Sequence, residues 1–425
     1  MEKPVTRNPW SWIPSLYFAE GLPYVVVMSV SVIMYKRLGL SNTNIALYTS
    51  WLYLPWVIKP LWSPLIDNLS TKRFWIISMQ LLVGSAMAAV AFSLPAPCFV
   101  QYSLAFLWLM AFSSATHDIA ADGFYMLGLS EHRQAFFVGI RNTFYRFAML
   151  AGQGPLVILA GYLEQHAGTI ALAWQLTFFI LGGLFLSFCL WHFLTLPCPA
   201  ADRKRTGRSP RAVLAGFTDT FLSYFRKKGI GSALLFLLVF RLGEAQLVKL
   251  AAPFMLDEPA MGGLGLSTGY IGVIYGTAGV IALTLGGILG GIAVARRGMK
   301  YWLWPMVMAM NLPNLVYVYL SFIQPQNLYL ISSCVVIEQF GYGFGFTAYT
   351  LYMIWLSGGK HRTAHYAIST GFMALGMMLP GMLSGWLQEH IGYRHFFIWV
   401  MLCTLPGFLM ARRLKIAPGF GCRKN

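Results

Sequence analysis

The chain has 425 residues, 57% of them hydrophobic and only 11% charged, where a soluble globular chain carries about 25% charged residues. That composition excludes a single water-soluble domain and leaves a polytopic membrane protein. The net charge of +17 does not indicate nucleic acid, because the bases sit in short runs between apolar stretches and act there as topology signals.

At about 20 apolar residues per membrane-spanning helix, stretches of spanning length run at 11–35, 45–66, 74–94, 101–127, 135–163, 173–196, 229–256, 267–294, 301–322, 327–357, 364–388 and 394–411. The first contains Glu20 and Pro23 and has no small-residue cleavage site, so it reads as a span and not as a signal peptide. The expected fold is an all-α membrane protein of 12 transmembrane helices. One long polar segment, 197–228, separates six stretches from six and holds Arg203, Lys204, Arg205, Arg208, Arg211, Arg226, Lys227 and Lys228. The expected organisation is therefore an N-terminal six-helix bundle over 1–196, a basic linker over 197–228 and a C-terminal six-helix bundle over 229–425. If both termini are cytoplasmic, the loops on that side carry 23 Lys and Arg against 3 opposite, Lys36, Arg37 and Arg394. The positive-inside rule then places both termini and the linker in the cytoplasm. The six Cys are widely spaced, with no CxxC and no metal-ligand pattern, so they read as small apolar side chains.

A charge at the bilayer centre costs about 2.5–3.5 kcal/mol on insertion scales, so ionisable residues inside spans point to function. Five acids, Glu20, Asp118, Asp122, Glu244 and Glu338, and five bases, Lys59, Arg141, Arg146, Arg241 and Lys249, fall there. Asp118 and Asp122 share a helical face at i,i+4. Two readings stay open for them: proton coupling, because like charges so close resist joint ionisation, or structural pairing with Arg141 and Arg146. His117 points about 100° away and reads as a helix–helix hydrogen bond. Glu20, beside Gly21 and Pro23 in a stretch expected to kink or unwind, is a further proton-coupling candidate, or else a partner for Lys59. Arg146 and Lys249 are the candidate anchors for an anionic substrate. Lys59, Arg241, Glu244 and Glu338 complete the candidate binding set, with Arg241 and Glu244 at i,i+3 also able to neutralise each other.

Ser63-Pro64-Leu65-Ile66-Asp67 followed by Lys72-Arg73, and Gly290-Gly291-Ile292-Ala293-Val294 followed by Arg296-Arg297, lie at equivalent places in the two halves. They resemble the loop motif of the major facilitator superfamily, which makes Asp67, Lys72 and Arg73 the candidate gating-loop residues and supports an internal six-plus-six repeat. Lys59-Pro60-Leu61-Trp62-Ser63-Pro64-Leu65-Ile66-Asp67 and Ser114-Ala115-Thr116-His117-Asp118-Ile119-Ala120-Ala121-Asp122 further resemble the peptide/acetyl-coenzyme A transporter branch, most closely its bacterial AmpG muropeptide permeases, and Glu20-Gly21-Leu22-Pro23 is similar to the Ser-Gly-Leu-Pro of that family. His117 stands where that family usually has Gln, and Glu20 where it has Ser.

The resemblance implies secondary active transport by alternating access: proton-driven import of anhydro-muropeptides across the bacterial inner membrane, in peptidoglycan recycling. The expected partners are a glycopeptide small molecule and the lipid bilayer, with no nucleic acid, a monomer as the unit, and no cofactor beyond the proton gradient. Another cargo, such as an oligosaccharide, a siderophore or an acyl-coenzyme A, is the alternative. Neither an enzyme nor a metal site is expected, because no nucleophile with its base, no HExxH and no nucleotide loop occurs.

Overall fold

The computed structural model describes residues 7–129, 131–200, 202, 210–359, 362–414, 416 and 420. Arg203, Lys204, Arg205 and Arg208 of the basic linker, and the side chain of Asp67, lie outside the described set. Among the described residues the chain is helical, with no strand. The helices are α1 (Ile13–Val25), α2 (Ser31–Arg37), α3 (Asn42–Trp51), α4 (Leu54–Leu69), α5 (Lys72–Ser93), α6 (Phe99–Gly128), α7 (Glu131–Gln153), α8 (Pro155–His166), α9 (Ile170–Thr195) and α10 (Pro210–Phe225). They continue as α11 (Ile230–Val239), α12 (Leu242–Leu256), α13 (Thr268–Ile271), α14 (Val280–Arg297), α15 (Met299–Asn311), α16 (Leu315–Ile323), α17 (Leu328–Leu356), α18 (Arg362–Leu402) and α19 (Leu405–Arg413).

The apolar stretches read from the sequence all fall on helix. Among the described residues, 8 helical runs are long and apolar enough to cross a membrane. One of them, Ala364–Arg413, is 50 residues long and covers two of the stretches, which part at Gly392, where φ of 72° suits only a residue without Cβ. Four stretches are interrupted by turns: 45–66 at Leu52 and Tyr53 between α3 and α4, 135–163 at Gly154 between α7 and α8, 229–256 at Phe240 and Arg241 between α11 and α12, and 394–411 at Cys403 and Thr404 between α18 and α19. Several helix starts carry side-chain caps, while Asn314 and Thr404, at the N-caps of α16 and α19, make none. Ser41, Thr71, Thr169, Ser267 and Asn327 each accept a hydrogen bond from a first-turn amide.

Contacts divide the chain into two compact units, Met1–Met34 with Ile58–Leu214, and Tyr35–Val57 with Ala215–Asn425. The first unit packs α5 against α6 and α9, and α1 against α7. Its apolar core gathers Trp12, at the N-cap of α1, and Leu16 and Tyr17 of α1 with Ile76, Ala120, Phe124 and Leu196. In the second unit α17 packs against α14 and α15, and α18 against α3 and α12. Its core is rich in aromatics, with Phe240 and Tyr349 stacked at 5.1 Å. The segment Tyr35–Val57 precedes most of the first unit in sequence yet packs with the second, α3 lying along α18.

Two local features set the helix geometry. Around Pro23, α1 does not unwind; it runs on to Val25 and passes into a π-helical turn at Val26–Val30. On α17, a Cβ added at Gly343 would overlap the backbone of Leu283 in α14, and one at Gly341 the backbone of Ala309 in α15. These glycines let three helices approach backbone to backbone, as small residues do in membrane bundles. Some hydroxyls inside the spans are satisfied within their own helix, as with Ser31 to Val27 O at 2.6 Å and Thr177 to Ala173 O at 2.8 Å.

Candidate functional site

In the first unit, α1, α4, α6 and α7 bring five charged side chains into one cluster. The i,i+4 spacing of Asp118 and Asp122 turns both toward the neighbouring helices. Each takes its own cation. Lys59 Nζ of α4 donates to Asp118 Oδ2, and Arg141 Nη2 of α7 lies 2.8 Å from Asp122 Oδ1. Tyr17 Oη donates to Asp122 Oδ1 at 3.4 Å, and the Arg141 guanidinium lies over the rings of Tyr17 and Tyr125, at 4.5 and 5.1 Å from their centroids. Lys59 therefore goes to Asp118 and not to Glu20. Arg146 lies exposed on the same helix, without an ion pair among the described residues.

Glu20 is buried, and no cation pairs with it among the described residues. Its Oε2 has no hydrogen-bond partner among the described residues, and its carboxyl neighbours that of Asp118. Glu20, Asp118 and Asp122 against Lys59 and Arg141 leave the cluster one negative charge in excess. The group is not sealed: 42% of the Asp122 side chain and 25% of the Lys59 side chain remain accessible.

Beside it runs a row of neutral polar side chains. Ser15 Oγ of α1 lies 2.9 Å from His192 Nε2 of α9, His192 Nδ1 lies 2.9 Å from Gln80 Oε1 of α5, and Gln80 Nε2 lies 2.9 Å from His117 Nε2 of α6. Gln80 and His192 are fully buried. His117 thus makes an interhelical hydrogen bond, while Gln80 and His192 escaped the sequence reading; their only signal was a polar residue inside an apolar stretch.

The second unit treats its charges differently. Arg241, capping α12, donates through Nη2 and Nε to Glu244 Oε1 and Oε2 at 3.1 and 3.3 Å, Nη2 also donates to Tyr342 Oη at 2.6 Å, and the guanidinium lies over Phe346. Lys249 is buried with no carboxylate partner among the described residues. Its Nζ donates to Thr49 Oγ1 of α3 at 2.9 Å and sits over the Tyr53 ring. Glu338 of α17 is buried too, accepting from Gln339 Nε2 at 2.9 Å. Lys36 Nζ of α2 meets Asp257 Oδ1, just past α12, at 2.7 Å, and at the start of α3 Asn42 Nδ2 donates to Gln388 Oε1 and Tyr393 Oη of α18 at 2.6 and 2.8 Å, while Thr43 N donates to Glu389 Oε1 at 3.0 Å.

Of the gating-loop candidates, Lys72 and Arg73 open α5. Their backbone amides donate to the Asp202 carboxylate at 2.7 and 3.0 Å, while Arg73 Nη2 donates to Phe193 O at 2.6 Å. An anion at a helix N-terminus is favoured by the free amides and the helix dipole. Asp202 was not singled out from sequence, because nothing local marks it. Among the described residues no group of three His, Cys, Asp or Glu is placed to hold a metal ion.

Comparison with known proteins places this architecture. The chain matches the family model of the Major Facilitator Superfamily over residues 15–379. It is 26% identical over 407 residues to the anhydromuropeptide permease of Escherichia coli K12, covering 93% of this chain and 77% of that protein. Among solved structures, the nucleoside transporter NupG aligns with a TM-score of 0.69 at 15% identity, over 95% of this chain and 98% of that one. A bacterial homologue of the human lysosomal transporter Spinster, inward-facing and unoccupied, aligns with a TM-score of 0.69 at 16% identity, over 94% of this chain and 95% of that one. The chain belongs to the Major Facilitator Superfamily and is a multi-pass membrane transporter of small molecules.

Proposed function

We propose that this member of the Major Facilitator Superfamily imports anhydro-muropeptides together with protons across a bacterial inner membrane, by alternating access and with both termini in the cytoplasm. The cargo class is supported by the likeness to an anhydromuropeptide permease over 93% of the chain. Such a glycopeptide carries carboxylates, for which Arg146 and Lys249 are the proposed anchors. Lys249 suits the part because a buried ammonium held by a hydroxyl and a ring still lacks the anion that would balance it.

One observation carries the coupling: the cluster of the first unit holds three carboxylates on two cations, with Glu20 the carboxylate left over. A single proton completes its neutrality. Asp118 and Asp122 are balanced by Lys59 and Arg141 without one, so Glu20, next to Asp118, is the proposed carrier and the two aspartates hold the cations that frame it. A neutralised cluster crosses between the two access states with no net charge, which removes most of the electrostatic penalty of moving it through low dielectric.

The energetics define the test. One proton falling through 100 mV releases about 2.3 kcal/mol, enough to concentrate a neutral cargo about fifty-fold at about 1.4 kcal/mol per tenfold. A cargo with one net negative charge travels with its proton as a neutral pair and responds to the pH gradient alone. Uptake of labelled anhydro-muropeptide into vesicles containing the protein is measured with and without an inward proton gradient. Gradient-driven accumulation in the wild type, lost in Glu20→Gln with cargo binding retained, is the expected result. Equal accumulation with and without the gradient overturns coupling; silence toward anhydro-muropeptide, with a signal from a parallel oligosaccharide panel, moves the cargo to another class.

A further inference from the structure

The row Ser15–His192–Gln80–His117 has a direction, and the direction can reverse. Gln80 offers an amide N–H to His117 Nε2 and a carbonyl to His192 Nδ1, so His117 Nε2 is the acceptor and His192 Nδ1 carries its proton. His192 Nε2 is then an acceptor, filled by the Ser15 hydroxyl at 2.9 Å. Turned end for end, the row is equally satisfied. His117 Nε2–H donates to Gln80 Oε1, Gln80 Nε2 donates to His192 Nδ1, His192 Nε2–H donates to Ser15 Oγ, and Ser15 donates to the Trp12 carbonyl, already in place at 3.3 Å. Only the reversed row accepts an extra proton on His117, since an imidazolium has no lone pair to offer the amide.

We propose that Ser15, His192, Gln80 and His117 form a proton path through the first unit, from the N-terminal turn of α1 to the helix position next to Asp118. This rests on the coupling reading above and names the route by which the charged cluster exchanges its proton. The hop conserves atoms and moves no electrons. A proton reaching Ser15 Oγ releases the hydroxyl's own proton to His192 Nε2, His192 Nδ1–H passes to Gln80 Oε1, and one Gln80 Nε2–H passes to His117 Nε2. One proton enters and one is left on His117. Gln80, momentarily an imidic acid, returns to the amide by shifting its proton from oxygen to nitrogen and turning end for end. His117 Nδ1 makes no hydrogen bond to a described residue and is the exit.

The titratable and charged groups around the row are few. Asp118, paired with Lys59, follows His117 on α6. From α1 come Glu20 and Tyr17, on the side of the cluster. From α9 comes Cys189, whose Sγ donates to Ile77 O. From α5 comes Lys72, whose stem packs against Gly123 beyond the cluster. None of these interrupts the row, and a simple helix tie needs no pair of two-nitrogen rings.

The test uses the full-length chain in vesicles with an internal pH dye. His192→Gln and His117→Gln each keep a donor and an acceptor, so a purely structural tie survives them while the proton relay does not. The expected result is that cargo-driven proton influx falls about a hundredfold, the lower range of what a positioned proton carrier contributes, with cargo affinity unchanged. Nitrogen-15 spectra of labelled histidines supply a second readout. His192 moves from Nδ1–H to Nε2–H in step with protonation of His117. Wild-type proton influx in both variants, or a His192 that stays Nδ1–H while His117 titrates, overturns the path and leaves the coupling reading standing. Absence of any cargo-driven proton movement in the wild type overturns both.

Discussion

The two units hold buried charge in opposite ways. In the second, Arg241 and Glu244 close on each other with two hydrogen bonds and only 8% and 4% of their side chains accessible, and Lys249 and Glu338 are each buried among neutral partners. In the first, Lys59 and Asp118 keep 25% and 21% accessible, and an additional carboxylate has no cation among the described residues. A sealed pair has its charge settled once the chain is folded; the accessible cluster with one acid in excess is the one we propose to exchange a proton. On that proposal the difference separates the part of the molecule that couples from the part that holds its helices, and an anion, in place.

The contrast breaks most sharply at Arg241. Removing one partner of a sealed pair leaves an uncompensated buried charge, so Arg241→Met should cost about 3–5 kcal/mol in denaturant unfolding in detergent, with most of it recovered in the Arg241→Met/Glu244→Leu double variant. Lys59→Met, in the accessible cluster, should cost less, about 1–3 kcal/mol, because the stranded Asp118 keeps 21% of its side chain accessible. A larger loss for Lys59→Met than for Arg241→Met would remove the distinction between the units. Gly343→Ala should cost about 1–3 kcal/mol through overpacking of α17 on α14, read in the same unfolding assay. Lys249→Met should leave stability within about 1 kcal/mol, since it removes a buried charge that has no counter-ion, while raising the half-saturating concentration of a carboxylated cargo about tenfold and sparing an uncharged one. The smallest effect belongs to Lys36→Ala, about 0.2–1 kcal/mol, because its pair with Asp257 is partly exposed.

How much of this was readable beforehand follows from the range of the interactions. Apolar stretches of spanning length are local signals, and each fell on helix because a backbone in hydrocarbon must satisfy its own hydrogen bonds. The pairing of Arg241 with Glu244 was equally local, three residues apart on one turn. The partners in the first unit were not: Asp118 had Arg141 and Arg146 nearer in sequence and of comparable promise, yet its cation is Lys59, 59 residues away. Likewise Gln80, His192 and Ser15 are ordinary polar residues until four helices bring them into line. The expected kink or unwinding at Gly21 and Pro23 does not occur: α1 runs helical through Pro23, with Gly21 packed tightly against α7, and only the π turn at Val26–Val30 departs from the regular helix.

Sequence by itself determined that this chain lives in a bilayer, that it is all helix, which ionisable residues lie inside the apolar stretches, and which transporter family it resembles. These rest on composition, period and short motifs, each decided within a few turns of chain. Tertiary structure alone decided which acid meets which base, that Glu20 is the carboxylate left without a cation among the described residues, that Lys249 rests on Thr49 and Tyr53, and that residues 35–57 pack with the C-terminal helices. The physical reason is one of energy and distance. Burying a charge costs kilocalories wherever it sits along the chain, but the group that offsets it is chosen by helix packing, and packing joins residues tens to hundreds of positions apart.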